Sequence, residues 1–347
     1  MYIPGQQSRS TVDTAKISAA PVNEFPGRSC YSGFLSTNAT GRWPGIFKIT
    51  VSVALLVLLL YALDYSRIID SVRQVGWWVV PLALAFQLLL FTLASVRWWV
   101  LLNYHAGGYR PVTLLAPFFV GVFFNNVLPT TIGGSLFRMY YIYRDNHGAA
   151  VAVAPIITER VIGFVAMIAT AAVVVPFLSS EQAYVRVLAN ILPWLLALTV
   201  AVLALFGSRW THRFVHVALA RWCQFRVVAT VLRIVEAVHA SLAHPGLVAQ
   251  VFAISVGLQI MTAGVYYLLG LGLGTTLALL DYLVIVPLVF MAATLPVSIG
   301  GLGVREVAAV SLFTTAGMSP GHAGALAFLY LVILLLSSVP GLSLIHI

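Results

Sequence analysis

Leu128-Pro129-Thr130-Thr131-Ile132-Gly133-Gly134-Ser135-Leu136-Phe137-Arg138 is answered by Leu295-Pro296-Val297-Ser298-Ile299-Gly300-Gly301-Leu302-Gly303-Val304-Arg305. Proline, glycine pair and arginine keep their spacing, and the copies lie 167 positions apart. Each interrupts a long apolar run. Proline removes an N–H and glycine admits unusual dihedrals, so a helix stops at each place. Broken apolar segments at matching places in two halves of a chain point to a transport site within a membrane.

The composition requires a membrane. Hydrophobic residues are 61% of the 347, charged residues only 8%, and mean hydropathy is +0.98. Soluble domains carry about a quarter charged residues. So much apolar surface cannot be hidden inside the chain, and lipid must solvate the rest. The fold class expected is an all-α polytopic membrane protein.

The net charge of +9 raises the question of nucleic acid. The basic residues sit between apolar spans, where lysine and arginine mark cytoplasmic loops, and no nucleic-acid partner is expected. Cys30 and Cys223 show no metal-ligand spacing, and both are assigned to the reducing cytoplasmic side.

Residues 1–44 are polar, without the apolar core of a signal peptide. They read as a disordered cytoplasmic tail, and 45–347 as one transmembrane domain. Apolar runs follow at about 46–63, 77–102, 112–128, 135–143, 154–178, 191–206, 247–273, 283–295, 304–316 and 323–339. Trp77, Trp78, Trp98 and Trp99 look like interfacial anchors at the ends of the second run.

Loop charge orients the spans. The tail, the loop with Arg97 and Arg110, the stretch Arg138 to Arg144 and the Arg-rich stretch 209–244 are basic and go inside. The loop with Asp64, Arg67, Asp70 and Arg73 is balanced and goes outside. The first broken segment must then enter and leave on the inner face, the second on the outer face. Three full crossings separate them, and an odd number inverts the second copy. The expected architecture is an inverted repeat, about 45–180 and 187–345, of about six transmembrane helices plus two re-entrant broken hairpins. Phe214, Ala218, Trp222, Phe225, Val228, Leu232 and Val235 recur at helical spacing in 209–243, as in a helix lying on the inner leaflet.

A helix restarting after Gly133-Gly134 or Gly300-Gly301 presents free N–H groups, which suit a phosphate. Arg138 and Arg305 add guanidinium forks about one turn in. The competing reading is close helix packing at the glycines and arginines reaching for the interface. Glu306 has Met139 as its counterpart in the first copy. Glu159-Arg160 opens an apolar span. An ionisable pair there marks a functional site, a proton shuttle or partner of Arg138 or Arg305, unless it is self-neutralised. Asn125 and Asn126, just before the first break, would bind a headgroup or cap loose backbone. The candidate substrate-binding set is therefore Asn125, Asn126, Pro129, Gly133, Gly134, Arg138, Glu159, Arg160, Pro296, Gly300, Gly301, Arg305 and Glu306. No catalytic, metal-binding or nucleotide-binding constellation stands out, so no cofactor is expected.

Asn126, Pro129, Gly133-Gly134 and Arg138, then Glu159-Arg160 with Gly163, then Pro296, Gly300-Gly301, Gly303 and Arg305-Glu306, together resemble the lysylphosphatidylglycerol synthase transmembrane, or flippase-like, family. The resemblance covers about 46–340. It implies a bacterial inner-membrane protein handling a membrane lipid. Some members flip lipid within an enzyme that aminoacylates phosphatidylglycerol, and others stand alone beside hopanoid or polyprenyl-lipid pathways. Aminoacyl transfer belongs to a soluble C-terminal domain. The last span here runs almost to Ile347, so a stand-alone lipid translocase and no enzyme is expected. The alternatives are a membrane-embedded lipid-modifying transferase and an accessory scaffold.

Overall fold

The computed structural model describes residues 71–73, 75–127, 133–145, 147–178, 183–208, 226–294 and 301–344. The tail and the first expected span lie outside these residues, as do Pro129, Pro296 and Gly300. All regular structure among the described residues is helical. The helices are α1 Val79–His105, α2 Pro111–Val127, α3 Gly133–Arg144, α4 Ala149–Val174, α5 Ala183–Gly207, α6 Arg226–Ala243, α7 Pro245–Gly272, α8 Leu279–Ala293, α9 Val304–Thr315 and α10 Pro320–Leu344. A 3-10 turn, Val175–Phe177, extends α4.

Among the described residues, five segments are long and apolar enough to cross a bilayer: Val79–His105, Ala149–Phe177, Tyr184–Leu205, Pro245–Gly272 and Pro320–Leu344. They are five of the six spans read from the sequence, and the chain is a multi-pass membrane protein. The arms α2 and α8 are shorter apolar helices. Only helices satisfy their own backbone in lipid without closing a barrel, so uninterrupted apolar runs become helices. Prolines stand inside α2, α4, α5, α8 and α10, as neighbouring helices in a membrane allow. Where water returns, local caps take over. His244 Nδ1 accepts from Leu247 N at 3.1 Å ahead of Pro245 at the start of α7.

A shift of 167 positions brings α1 and α2 within one residue of the bounds of α7 and α8, whereas α3 and α4 fall three to four residues short of α9 and α10. It carries α1 onto 246–272, against Pro245–Gly272 for α7, and α2 onto 278–294, against Leu279–Ala293 for α8. The packing repeats as well. In each half the first helix meets the second and fourth, the second meets the third, and the third meets the fourth. Between halves α1 packs on α7, α2 on α10 and α8 on α4.

The helix ends gather at two places. Tyr109, between α1 and α2, donates to Asp145, just after α3, and burial together with that carboxylate raises the Tyr109 phenol well above its ordinary range. His105 pairs with Ser241 at 2.7 Å, so the end of α1 meets the end of α6. At the other place Val79 opens α1 in one cluster with Leu273, Tyr282, Ala316 and Met318. Tyr184, at the start of α5, donates to Asp281 of α8 at 2.8 Å. Helices α1 and α7 therefore run antiparallel.

Two expectations are corrected. Trp98 is no interfacial anchor: it is 0% exposed, packed beside Phe118 with centroids 6.4 Å apart. Trp77, at 86%, has the exposure an anchor requires. Arg97, counted as a loop charge, lies inside α1 with its side chain only 14% exposed, which leaves Arg110 as that loop's basic marker. In the expected surface helix, 226–243 is helical and packs on α4, α5 and α7. Leu232 is buried in that contact while Val231 is exposed. The stretch 209–225 lies outside the described residues.

A cavity lined by arginines from both halves

Gly133 and Gly134 open α3 and are buried. A Cβ on Gly134 would stand 2.2 Å from the Gly121 carbonyl oxygen, so α2 and α3 touch backbone to backbone at that level. This contact turns Arg138, one turn further on, inward between Trp98 and Phe118. Its guanidinium carbon is 5.3 and 5.1 Å from those ring centres.

Arg138 Nη1 donates to Glu159 Oε2 at 3.0 Å, and Arg97 Nη2 donates to Glu159 Oε1 at 2.8 Å. Arg97 Nη1 also donates to Ser255 at 3.0 Å. One carboxylate is thus shared by two guanidinium groups from α1 and α3. Glu159 and Arg160 make no direct ion pair. Neighbours on a helix diverge by about 100°, and Arg160 Nη2 donates instead to Ser135 Oγ at 3.0 Å.

The second copy reaches a similar end by another route. Gly301 has φ +80°, a region that favours glycine, and sits against Ala293 of α8. Arg305 follows in the first turn of α9, with its guanidinium carbon 5.4 Å from the Tyr330 ring centre. Its counter-ion is the adjacent Glu306: Arg305 Nε donates to Oε1 at 3.0 Å and Nη2 to the same oxygen. Glu306 Oε2 accepts from Gly303 N at 2.6 Å, capping α9. Beneath this pair Tyr266 stacks on Tyr330 with centroids 4.1 Å apart.

The two copies share one cavity of about 570 Å³. Arg138, Arg160 and Arg305 line it with Asn125, Asn126 and Gly134, and among the described residues no carboxylate residue does. Glu159 and Glu306 are buried behind their arginines, Gly133 and Gly301 at the roots of α3 and α9. Among the described residues, the four arginines and two glutamates of this network leave two positive charges in excess. A cation buried in a spanning region is costly unless compensated, so an anion entering this space would be stabilised.

The sequence reading missed Arg97 and Gln87. Arg97 carried its own signal, an ionisable residue within an apolar run. Gln87 from α1 lines the same cavity, and no spacing in the sequence connects it with either copy.

Residues 45–341 match the family model described as the lysylphosphatidylglycerol synthase TM region. No curated protein matches the chain at a significant level. With 45–341 covered by that model, the chain belongs to the lysylphosphatidylglycerol synthase TM-region family.

Proposed function

We propose that the chain is a lipid translocase that moves a phospholipid or related lipid between leaflets of a bacterial cell membrane. The supporting observation is the shared cavity that both copies line with arginine and, among the described residues, with no acid. A lipid phosphate there would be held by Arg138 and Arg305, and no bond need form or break.

The inverted-repeat reading with two re-entrant hairpins has its own support. Tyr109 and Asp145 bring the start of α2 beside the end of α3, as a hairpin returning to its own face requires. Tyr282 and Met318 share a cluster, which does the same for α8 and α9. The antiparallel α1 and α7 carry the two hairpins with opposite polarity. Access would alternate as one half rocks on the other, with α1 against α7, α2 against α10 and α4 against α8 as the sliding contacts.

The test is reconstitution of the full chain in vesicles containing a fluorescent anionic phospholipid, with quenching of the outer leaflet. The protein should accelerate exchange between leaflets. Arg138→Ala and Arg305→Ala should each slow it about ten- to hundredfold, the worth of one charge-assisted hydrogen bond, in protein that remains folded. Unchanged exchange in the double variant would overturn the assigned site.

A further inference from the structure

We infer that the groove where the end of α1 meets the start of α7 seats a diacylglycerolipid of the bilayer, gripped by its ester carbonyls and not by its headgroup. The groove shares no lining residue with the arginine-lined cavity, and the inference stands whether or not the chain moves lipid.

Position comes first. Trp99, Asn103 and Tyr104 line the groove from α1, and His244, Leu247 and Gln250 from the start of α7. It encloses about 320 Å³, within the range of small-ligand sites. Two segments long enough to cross a bilayer end here, one at His105 and the other at Pro245. The groove therefore lies at a membrane–water boundary, the level at which Trp and Tyr collect and at which lipid glycerol esters sit. Leu247 is buried and gives it an apolar floor.

The polar groups then select the ligand. Asn103 Oδ1 accepts from Gly108 N at 3.2 Å, which fixes the oxygen end of the amide, and the NH₂ end has no partner among the described residues. His244 Nδ1 accepts from Leu247 N at 3.1 Å, so the neutral ring carries its hydrogen on Nε2. That ring stands edge to face with Tyr104, centroids 5.5 Å apart. Both side chains thus spend their acceptor inside the protein and keep a donor. Trp99 Nε1 already donates to the Tyr109 carbonyl at 2.7 Å, which leaves the indole to supply apolar surface. Among the described residues no charged side chain lines the groove. A phosphate would call for a cation, and a sugar hydroxyl for acceptors as well as donors. Ester carbonyls accept without charge, and a diacylglycerolipid brings two of them attached to chains that suit the floor.

One wall belongs to each half of the molecule. A lipid seated here would bridge α1 and α7, which pack on each other between the halves, and its presence would brace that seam.

The full chain, in a detergent without sugar or ester groups, is titrated with dioctanoyl-phosphatidylcholine and with its diether analogue, which keeps the headgroup but lacks both carbonyls. Thermal stabilisation reads binding. The diester should bind about three- to tenfold tighter. Asn103→Asp keeps the acceptor for Gly108 N, and His244→Asp keeps a cap for Leu247 N, yet each deletes the donor. Each should narrow the gap between diester and diether, and the double variant should abolish it. Equal binding of the two lipids by the wild-type chain, or an unchanged gap in the double variant, overturns the inference. Displacement of the diester by octyl glucoside from wild type but not from the double variant would make the occupant a sugar and overturn it too. Should the variants fail to fold, a diester lipid with a diazirine beside one carbonyl decides on the wild-type chain. Crosslinks should map to residues 99–104 and 246–250, and crosslinks confined to other segments overturn the inference. Failure of lipid movement in vesicles would leave this groove intact, and loss of the ester preference would leave the translocase reading intact.

Discussion

Arg97 and Glu159 meet at 2.8 Å, 62 positions apart, and the same carboxylate holds Arg138 at 3.0 Å. Glu159 thereby ties α1, α3 and α4 together behind the cavity and sets the direction in which Arg138 faces. The network joins the first broken segment to the long helices around it. In the second half Glu306 holds Arg305 and caps α9 from within that helix.

Removing the shared carboxylate should therefore cost stability before it costs recognition. Glu159→Gln leaves two largely buried guanidinium groups without a counter-charge, a loss of up to about 3–5 kcal/mol, the range for a broken buried pair. Thermal unfolding in detergent should show a lowered midpoint. Pairing Glu159→Gln with Arg97→Met should recover part of it, because the stranded charge leaves too. A midpoint within error of wild type for Glu159→Gln would mean that the pair carries no structural weight.

The two glycines should fail for different reasons. Gly134→Ala puts a methyl group 2.2 Å from the Gly121 carbonyl oxygen, so α2 and α3 must part, at about 1–3 kcal/mol. Gly301→Ala forces a φ near +80° on an L side chain, at about 1–2 kcal/mol, and presses on Ala293. Gly121→Ala, with 3.0 Å to the Gly134 oxygen, should be milder than Gly134→Ala. Comparison of thermal midpoints checks the order, and a Gly134→Ala chain as stable as wild type would contradict the backbone contact.

Cysteines introduced one at a time report sidedness. Positions at His105 and Arg144 should react from the inner side and Leu277 from the outer side. Labelling of Arg144Cys from outside would mean that the first broken segment crosses fully, and the inverted arrangement would be lost.

Asn126 and Thr294 stand just before the two breaks and line the same cavity. A cysteine pair at these positions should be bridged within one chain by a short flexible bis-maleimide, seen as a mobility change on gels. Absence of any bridge in an active double-cysteine chain would place the two broken segments in separate spaces.

Much of this was legible in the sequence. The spans α1, α4, α5, α7 and α10 follow from apolar length alone, because an unbroken apolar run in lipid has no alternative to the helix. The stops before α3 and α9 were visible as proline and paired glycine. The matching arginines marked both walls of one cavity, and Asn125 and Asn126 stood near the first. What composition and spacing could not supply was partnership. Adjacent in sequence, Glu159 and Arg160 look like a pair; helical geometry separates them and only packing gives Glu159 to Arg97 and Arg138. Arg97 and Trp98 look like membrane-edge residues because they end an apolar run, and they are internal because α4 and α7 enclose Arg97 while α2 and α3 pack over Trp98. Gln87 becomes part of the cavity only when α1 is laid beside both broken segments. The apolar pattern determines which stretches enter the bilayer, since hydration free energy acts on each residue locally. Which buried charge meets which, and what the remaining charge faces, depends on contacts between distant helices, and the tertiary structure alone decides it.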